Sequence, residues 1–484
     1  MNNLHTIIIG AGAAGIAASS RLLENNIQNI LILEARDRIG GRIHTIEVDG
    51  SALDFGAQWC HGEENNIVYT LAKDLDVLSH SKNEYNSFNV YSPTLNLDKD
   101  VVNQLIPIAV TIMDDTEALQ NSTENFGDYF EKRFLAEMKT DFENKLSPQV
   151  TTALMDWFHK FVKCLNACPT WYTLSAKGLV HYEVCDGNYY HQWRNRGYKT
   201  ILEILMREFP DPRKKLPISQ KILLNKIVSK IITDKSDGLT VICSDGTKYS
   251  ARYVLVTLPL GVLKEIHNSL FEPQLPSHKV NAINGLGFGT VNKILIKFPF
   301  QWWQRDEKGV SIVWSEKDRD NVLREFPSTM LQSRKSWLES VMGFYPIDSH
   351  TNILLVWLVG SSLEEIEKLS DDKIIAGLMF VLKYFIGSRY PDLPNPISVI
   401  CSKWYSDPYT RGSYSYRSLI SDDMNVFASD LAEPIHLNNK SLLMFAGEAT
   451  SSHQYSTVHG AISSGFREAD RIINVCKTEP KSKL

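Results

Sequence analysis

Hydrophobic positions divide the chain into two kinds of territory. Near the start, a β-forming run at 6–9 leads into Gly10-Ala11-Gly12-Ala13-Ala14-Gly15, then a helical stretch at 16–23 and a second apolar run at 30–33 that ends on Glu34. Short apolar runs bounded by turn residues predict strands, so this order predicts a β-α-β unit. Alternating or short apolar runs at 221–232, 239–243, 253–258 and 442–445 predict further strands. Residues 101–177 instead carry long helical patterns with scattered aromatics, and 294–394 mix strand-like runs with helices at 362–368 and 371–386.

The glycines of the first unit have distinct physical uses. Gly10 permits a tight turn, Gly12 lets backbone N–H groups approach a pyrophosphate, and Gly15 allows close helix–strand packing, with Ala14 in the first helical turn. Glu34 sits where a carboxylate accepts ribose hydroxyls, which argues against a 2′-phosphate and so against NADP. The next stretch, Ala35-Arg36-Asp37-Arg38-Ile39-Gly40-Gly41-Arg42, suits a second backbone approach to the pyrophosphate, with Arg42 as counter-charge.

At 484 residues and 43% hydrophobic content the chain exceeds one ordinary domain. The net charge of −5 gives no electrostatic case for nucleic acid and is compatible with a cationic substrate. Seven irregularly spaced cysteines read as reduced thiols, and Cys164 and Cys168 lack a second ligand pair, so no metal site is expected. The best apolar run, 353–359, has the length of a buried strand, so no membrane span is expected. Ser482-Lys483-Leu484 ends a polar tail and reads as the address recognised by the peroxisomal import receptor, predicting a peroxisomal location, otherwise cytoplasmic.

The segment LEARDRIGGR, then GAQWCHG at 56–62, FAGEAT at 445–450 and STVHG at 456–460 together resemble the flavin-containing amine oxidase family, in particular its polyamine oxidase branch. The resemblance is strongest in 6–62, 253–296 and 402–470. It implies an α/β fold: a Rossmann-like FAD-binding domain with a parallel sheet (1–82, 193–293 and 395–476), interleaved with an α+β substrate domain on a mixed sheet (83–192 and 294–394), and a flexible tail (477–484).

The resemblance also assigns residues. FAD would be held by Gly10, Gly12, Ala14, Gly15, Glu34, Arg36, Gly41 and Arg42, with the backbone of Val228 at the adenine edge, Trp404 beside the ring and Glu448 accepting from the ribityl chain. Backbone N–H groups around Thr457 and Val458 would stabilise negative charge on the reduced ring. Ser413 stands where monoamine oxidases carry the cysteine linked to the flavin, so binding is expected to be non-covalent. Lys293, entering a strand from a glycine-rich turn, is implied to hold a water at flavin N5; His61, titrating near neutrality, would meet the substrate amine; and Tyr414 would wall the reacting carbon. Thr457 falls at the place of the second cage tyrosine and would make that wall polar. Tyr182, Glu183, Asp186 and Ser456 complete the substrate candidates, the acids as partners for a distal ammonium.

The expected activity is oxidation of N1-acetylated polyamines by FAD and molecular oxygen, giving a shorter amine, an aldehyde and hydrogen peroxide. A spermine oxidase, or a flavin-binding protein without activity, are the alternatives. Gln58 and Cys60 depart from the family's usual residues and bear on substrate preference.

Overall fold

The computed structural model describes residues 4–81, 89–142, 145–234, 238–305, 307–437 and 440–478. Ser482-Lys483-Leu484 lies outside them. Two sheets organise the chain. In the larger, nine-stranded sheet the strand Leu4–Ile9 lies between parallel neighbours Ile30–Leu33 and Lys248–Val256, and Ile222–Leu223 extends the parallel set beyond Ile30–Leu33. Ile7, Ile8 and Ile9 are all buried, as a strand covered on both faces requires. The first half of Lys248–Val256 pairs antiparallel with Gly238–Cys243, which pairs with Val228–Asp234; its second half pairs parallel with Lys440–Phe445. The α/β class is as expected, but the run at 221–232 is not one strand. Lys226 N bonds Glu34 O between Ile222–Leu223 and Val228–Asp234, and the two pieces join different parts of the sheet.

Helix Ala13–Glu24 packs on the parallel strands, and the long helix Val458–Thr478 packs on it. Small residues set both distances. A Cβ on Gly15 would lie 2.0 Å from the Gly10 carbonyl oxygen, and one on Gly465 would lie 2.2 Å from that of Ala14. The beginning and end of the chain are thereby locked together.

The second, six-stranded sheet runs Ser398–Cys401, Val291–Lys297, His350–Val359, Val341–Ile347, Val310–Ile312, Val90–Tyr91. Its strand side chains alternate between two cores. Met342, at the bulge between Val341 and Gly343, joins the aromatic helical core of Phe126, Phe130, Phe158 and Trp171, while Phe344, Val356 and Leu358 pack with Trp314, Leu378 and Leu382 on the other face. That second face is covered by the helix Asp371–Ile386. The strands of the two sheets interleave along the chain, 4–33, 222–272 and 435–445 in the larger, 90–91 and 291–401 in the smaller. Among the described residues no helix is long and apolar enough to cross a membrane.

Candidate active site

A cavity of about 1180 Å³ begins at the glycine turn of the larger sheet and reaches the smaller one. Gly10, Gly12, Ala14, Glu34, Arg36, Gly41, Arg42 and Val228 all line it, whereas Gly15 serves the packing described above. Helix Ala13–Glu24 starts here with no side-chain cap, so its first N–H groups are free to meet an anion. The Glu34 carboxylate accepts from Ala11 N at 2.7 Å and Arg36 N at 2.9 Å, which fixes the turn. Arg36 Nη2 lies 2.6 Å from the Asp407 carboxylate, an ion pair without hydrogen-bond alignment. An uncapped helix, glycines at the wall and a guanidinium from Arg42 fit a pyrophosphate.

Glu448 joins three distant parts of the chain. Its Oε1 accepts from Arg42 Nη1 at 2.7 Å, and its Oε2 accepts from Ser415 Oγ at 2.6 Å and Ser456 N at 2.8 Å. Both oxygens are therefore engaged by protein donors. Glu448 thus holds together residues that line the cavity, and as a cavity-lining carboxylate with about four lone-pair sites it keeps acceptor capacity for the expected ribityl hydroxyl. Ser413 Oγ accepts from Val291 N and donates to Val291 O, tying the 402–413 loop to the strand of Lys293.

Lys293 is buried in the smaller sheet, opposite Trp357 in register. Its Nζ donates to Gly56 O at 2.7 Å, Gln58 Oε1 at 2.8 Å and Asp54 O at 3.2 Å, and sits over the rings of Trp357 and Trp59. Burial lowers its pKa to about 7 and raises that of neighbouring Asp54 to about 6. The unusual Gln58 is thus the only side-chain acceptor among the three hydrogen-bond partners of Lys293.

His61 follows the strand Trp59–Cys60, in a turn held by Asn66 Nδ2, which donates to His61 O. Its Nδ1 lies 2.9 Å from the Tyr189 carbonyl oxygen, and the two rings are 4.5 Å apart. A carbonyl only accepts, so Nδ1 carries the proton and Nε2 is left as an acceptor. Burial lowers the His61 pKa to about 4, so the ring stays neutral at pH 7 rather than titrating near it. Tyr414 pairs with Gly289 across strands and donates from its hydroxyl to Cys164 O at 2.6 Å; burial holds the phenol protonated. Trp404, Tyr182, Ser456, Thr457 and Val458 also line the cavity.

Two substrate candidates need correction. Glu183 and Asp186 are exposed and absent from the cavity wall; Glu183 instead faces His453 at 3.2 Å. Thr457 Oγ1 donates to Gln454 O and accepts from Gly460 N, so the hydroxyl serves the start of the last helix. The sequence reading missed Trp357, Tyr189 and Tyr190, which line the cavity with Trp59 and His61. Within a strand, Trp357 has the pattern of a core residue; only its register opposite Lys293 marks it. Among the described residues no group of three or more metal-ligating side chains converges.

Burial also holds His44 and His459 at about 4 and His159 at about 3, against an ordinary 6.5. With His61, these imidazoles take up protons in the unfolded chain as pH falls below about 6.5, but in the folded one only near 4 or lower. Stability present above 6.5 is therefore lost progressively as pH falls toward 4. Asp54, held at about 6, opposes this as one group against four. The melting temperature of the flavin-loaded protein is expected to fall between pH 7 and pH 5; a rise would contradict the buried neutral imidazoles.

The fold and site define a flavin enzyme acting on amines. Residues 13–473 match the family model described as flavin containing amine oxidoreductase, and the chain belongs to that family. It is a flavin-dependent amine oxidase. It is 29% identical to the peroxisomal N(1)-acetyl-spermine/spermidine oxidase of Bos taurus, over 97% of this chain and 94% of that one. It is 30% identical to polyamine oxidase 4 of Oryza sativa subsp. japonica, over 96% and 87%. A solved structure of putrescine oxidase bound to putrescine superposes with a TM-score of 0.71 at 17% identity, covering 98% of this chain and 99% of that one, a likeness of fold.

Proposed function

We propose that this chain is a polyamine oxidase that binds FAD without a covalent link and oxidises a secondary amine of N1-acetylated spermine or spermidine in the peroxisome. The observation that carries the reading is the continuous cavity, which joins the phosphate-type glycine turn to a compartment walled by His61, Tyr414, Trp404 and Trp357 beside Lys293. FAD, when bound, supplies the acceptor that takes a hydride from the carbon next to a neutral amine and passes the electrons to oxygen, releasing hydrogen peroxide.

The protein's residues do the rest. Neutral His61 offers Nε2 to an amine N–H, which places the adjacent carbon without adding a positive charge. Tyr414 and Trp404 confine the carbon and exclude water. Lys293, poised near neutrality, exchanges a proton as the imine product is hydrolysed. Ser413, with its hydroxyl already bonded to Val291, supports a dissociable cofactor. The bovine relative, a peroxisomal N(1)-acetyl-spermine/spermidine oxidase, supports the acetylated substrate and the peroxisomal setting.

Anaerobic stopped-flow reduction by N1-acetylspermine, spermine and spermidine tests this, because the limiting rate isolates the chemical step from oxygen use. Fastest reduction by the acetylated amine is expected. Faster reduction by spermine reassigns the substrate and keeps the mechanism. A flavin that none of them reduces leaves a binding protein without this activity.

A further inference from the structure

Four carboxylates among the described residues line the cavity, and three are engaged. Glu34 is held by Ala11 N and Arg36 N, Glu265 is paired with Arg411 at 2.8 Å, and Glu448 with Arg42 at 2.7 Å. Asp114 is the exception. Its side chain carries no hydrogen bond or ion pair to any described residue; Asp114 is exposed at the cavity wall, and partial desolvation there raises its pKa above the ordinary carboxylate value.

Its position marks where the cavity opens. Asp114 ends the helix Lys99–Asp114, and Val110 lies one turn back on the same face. Val110, Leu165 and Val184 line the cavity yet are 41%, 53% and 63% exposed, an apolar rim that reaches solvent. Closing carbonyls of a helix add a negative partial charge beside the carboxylate. The cationic side chains that line the cavity, Arg36, Arg42, Lys226, Lys293 and Arg411, come from outside this helix, and none is paired with Asp114.

We propose that Asp114 is a specificity residue that binds the ammonium at the far end of the substrate, while the apolar rim of Val110, Leu165 and Val184 packs on the methylenes leading to it. This rests on the polyamine reading and extends it: an amine with no second cation gains nothing from this wall. Asp114 takes the place that sequence reasoning gave to Glu183 and Asp186.

The test compares flavin-loaded wild type with Asp114→Asn, and with Asp100→Asn as a charge control on the same helix outside the cavity wall. The ligands are N1-acetylspermidine and its analogue with the terminal ammonium replaced by methyl. In Asp114→Asn the Kd for N1-acetylspermidine, read from the concentration dependence of flavin reduction, is expected to weaken about tenfold with an unchanged limiting rate. The methyl analogue and Asp100→Asn are expected to show no change. Asp114→Glu, which keeps the charge, is expected to stay within about threefold of wild type. Equal Kd in wild type and Asp114→Asn, equal weakening of both ligands, or a loss in Asp114→Glu as large as in Asp114→Asn overturns the assignment. If wild type alone is reduced by no amine, the polyamine reading itself fails, and this one with it.

Discussion

Lys293→Met is expected to slow turnover by about a hundredfold while the flavin stays bound. The ammonium is surrounded by three acceptors, Gly56 O, Gln58 Oε1 and Asp54 O, which match its three N–H bonds. Deprotonation gives up one of these bonds, and the longest, at 3.2 Å to Asp54 O, is the least costly to lose. With a pKa of about 7 both forms are populated near neutrality, so the group can release a proton and regain it within a cycle. Methionine fills the volume and does neither. Lys293 Nζ bonds none of Gly10, Gly12 and Arg42, the residues of the pyrophosphate end, so flavin content should match wild type. The pH dependence separates a chemical role from a packing one: wild-type turnover should show a limb near pH 7 that the variant lacks. An unchanged rate, or protein purified without flavin, would count against the role.

The parts of the fold that were legible in the sequence are those where local physics forces the residue. Gly15 must be glycine because any side chain would meet Gly10 O, and the apolar runs around it have no other reading than a strand, a helix and a strand. The burial of Lys293 was legible from its place after a glycine turn and before apolar residues, whereas its role rested on the resemblance to the family. What was not legible depended on long-range register or on which polar atom meets which. Glu183 and Asp186 had the right charge, but the loop turns them to solvent, while Asp114 looked like an ordinary polar end of an amphipathic helix until the cavity reached it. Thr457 shows the same limit: its position relative to His459 was readable, but not that its hydroxyl would be used by Gly460 N. The state of His61 also required the fold, because burial and the Tyr189 carbonyl, 128 residues away in sequence, set its charge and tautomer.

Glu448→Ala is expected to lower stability by about 3 kcal/mol and to leave most of the protein without flavin. The carboxylate is 4% exposed and receives donors from Arg42, Ser415 and Ser456, residues that no local segment brings together. Removing it leaves a half-buried guanidinium without its counter-charge and a backbone N–H without its acceptor, the situation in which breaking an ion pair is most damaging. The loss should exceed that of an ordinary surface ion pair such as Arg21 with Asp470, whose side chains are more than 40% exposed. Because Arg42 also holds Ser413 O at 2.9 Å, freeing it loosens the loop that carries Trp404 along with the pyrophosphate end. Glu448→Gln gives the control. Its amide keeps an oxygen for Ser456 N but not the charge for Arg42, so stability should fall by less and flavin should remain partly bound. Urea unfolding midpoints and visible flavin absorbance per chain read the two effects separately. Full flavin content and wild-type stability in Glu448→Ala would mean that the three segments are held by other contacts.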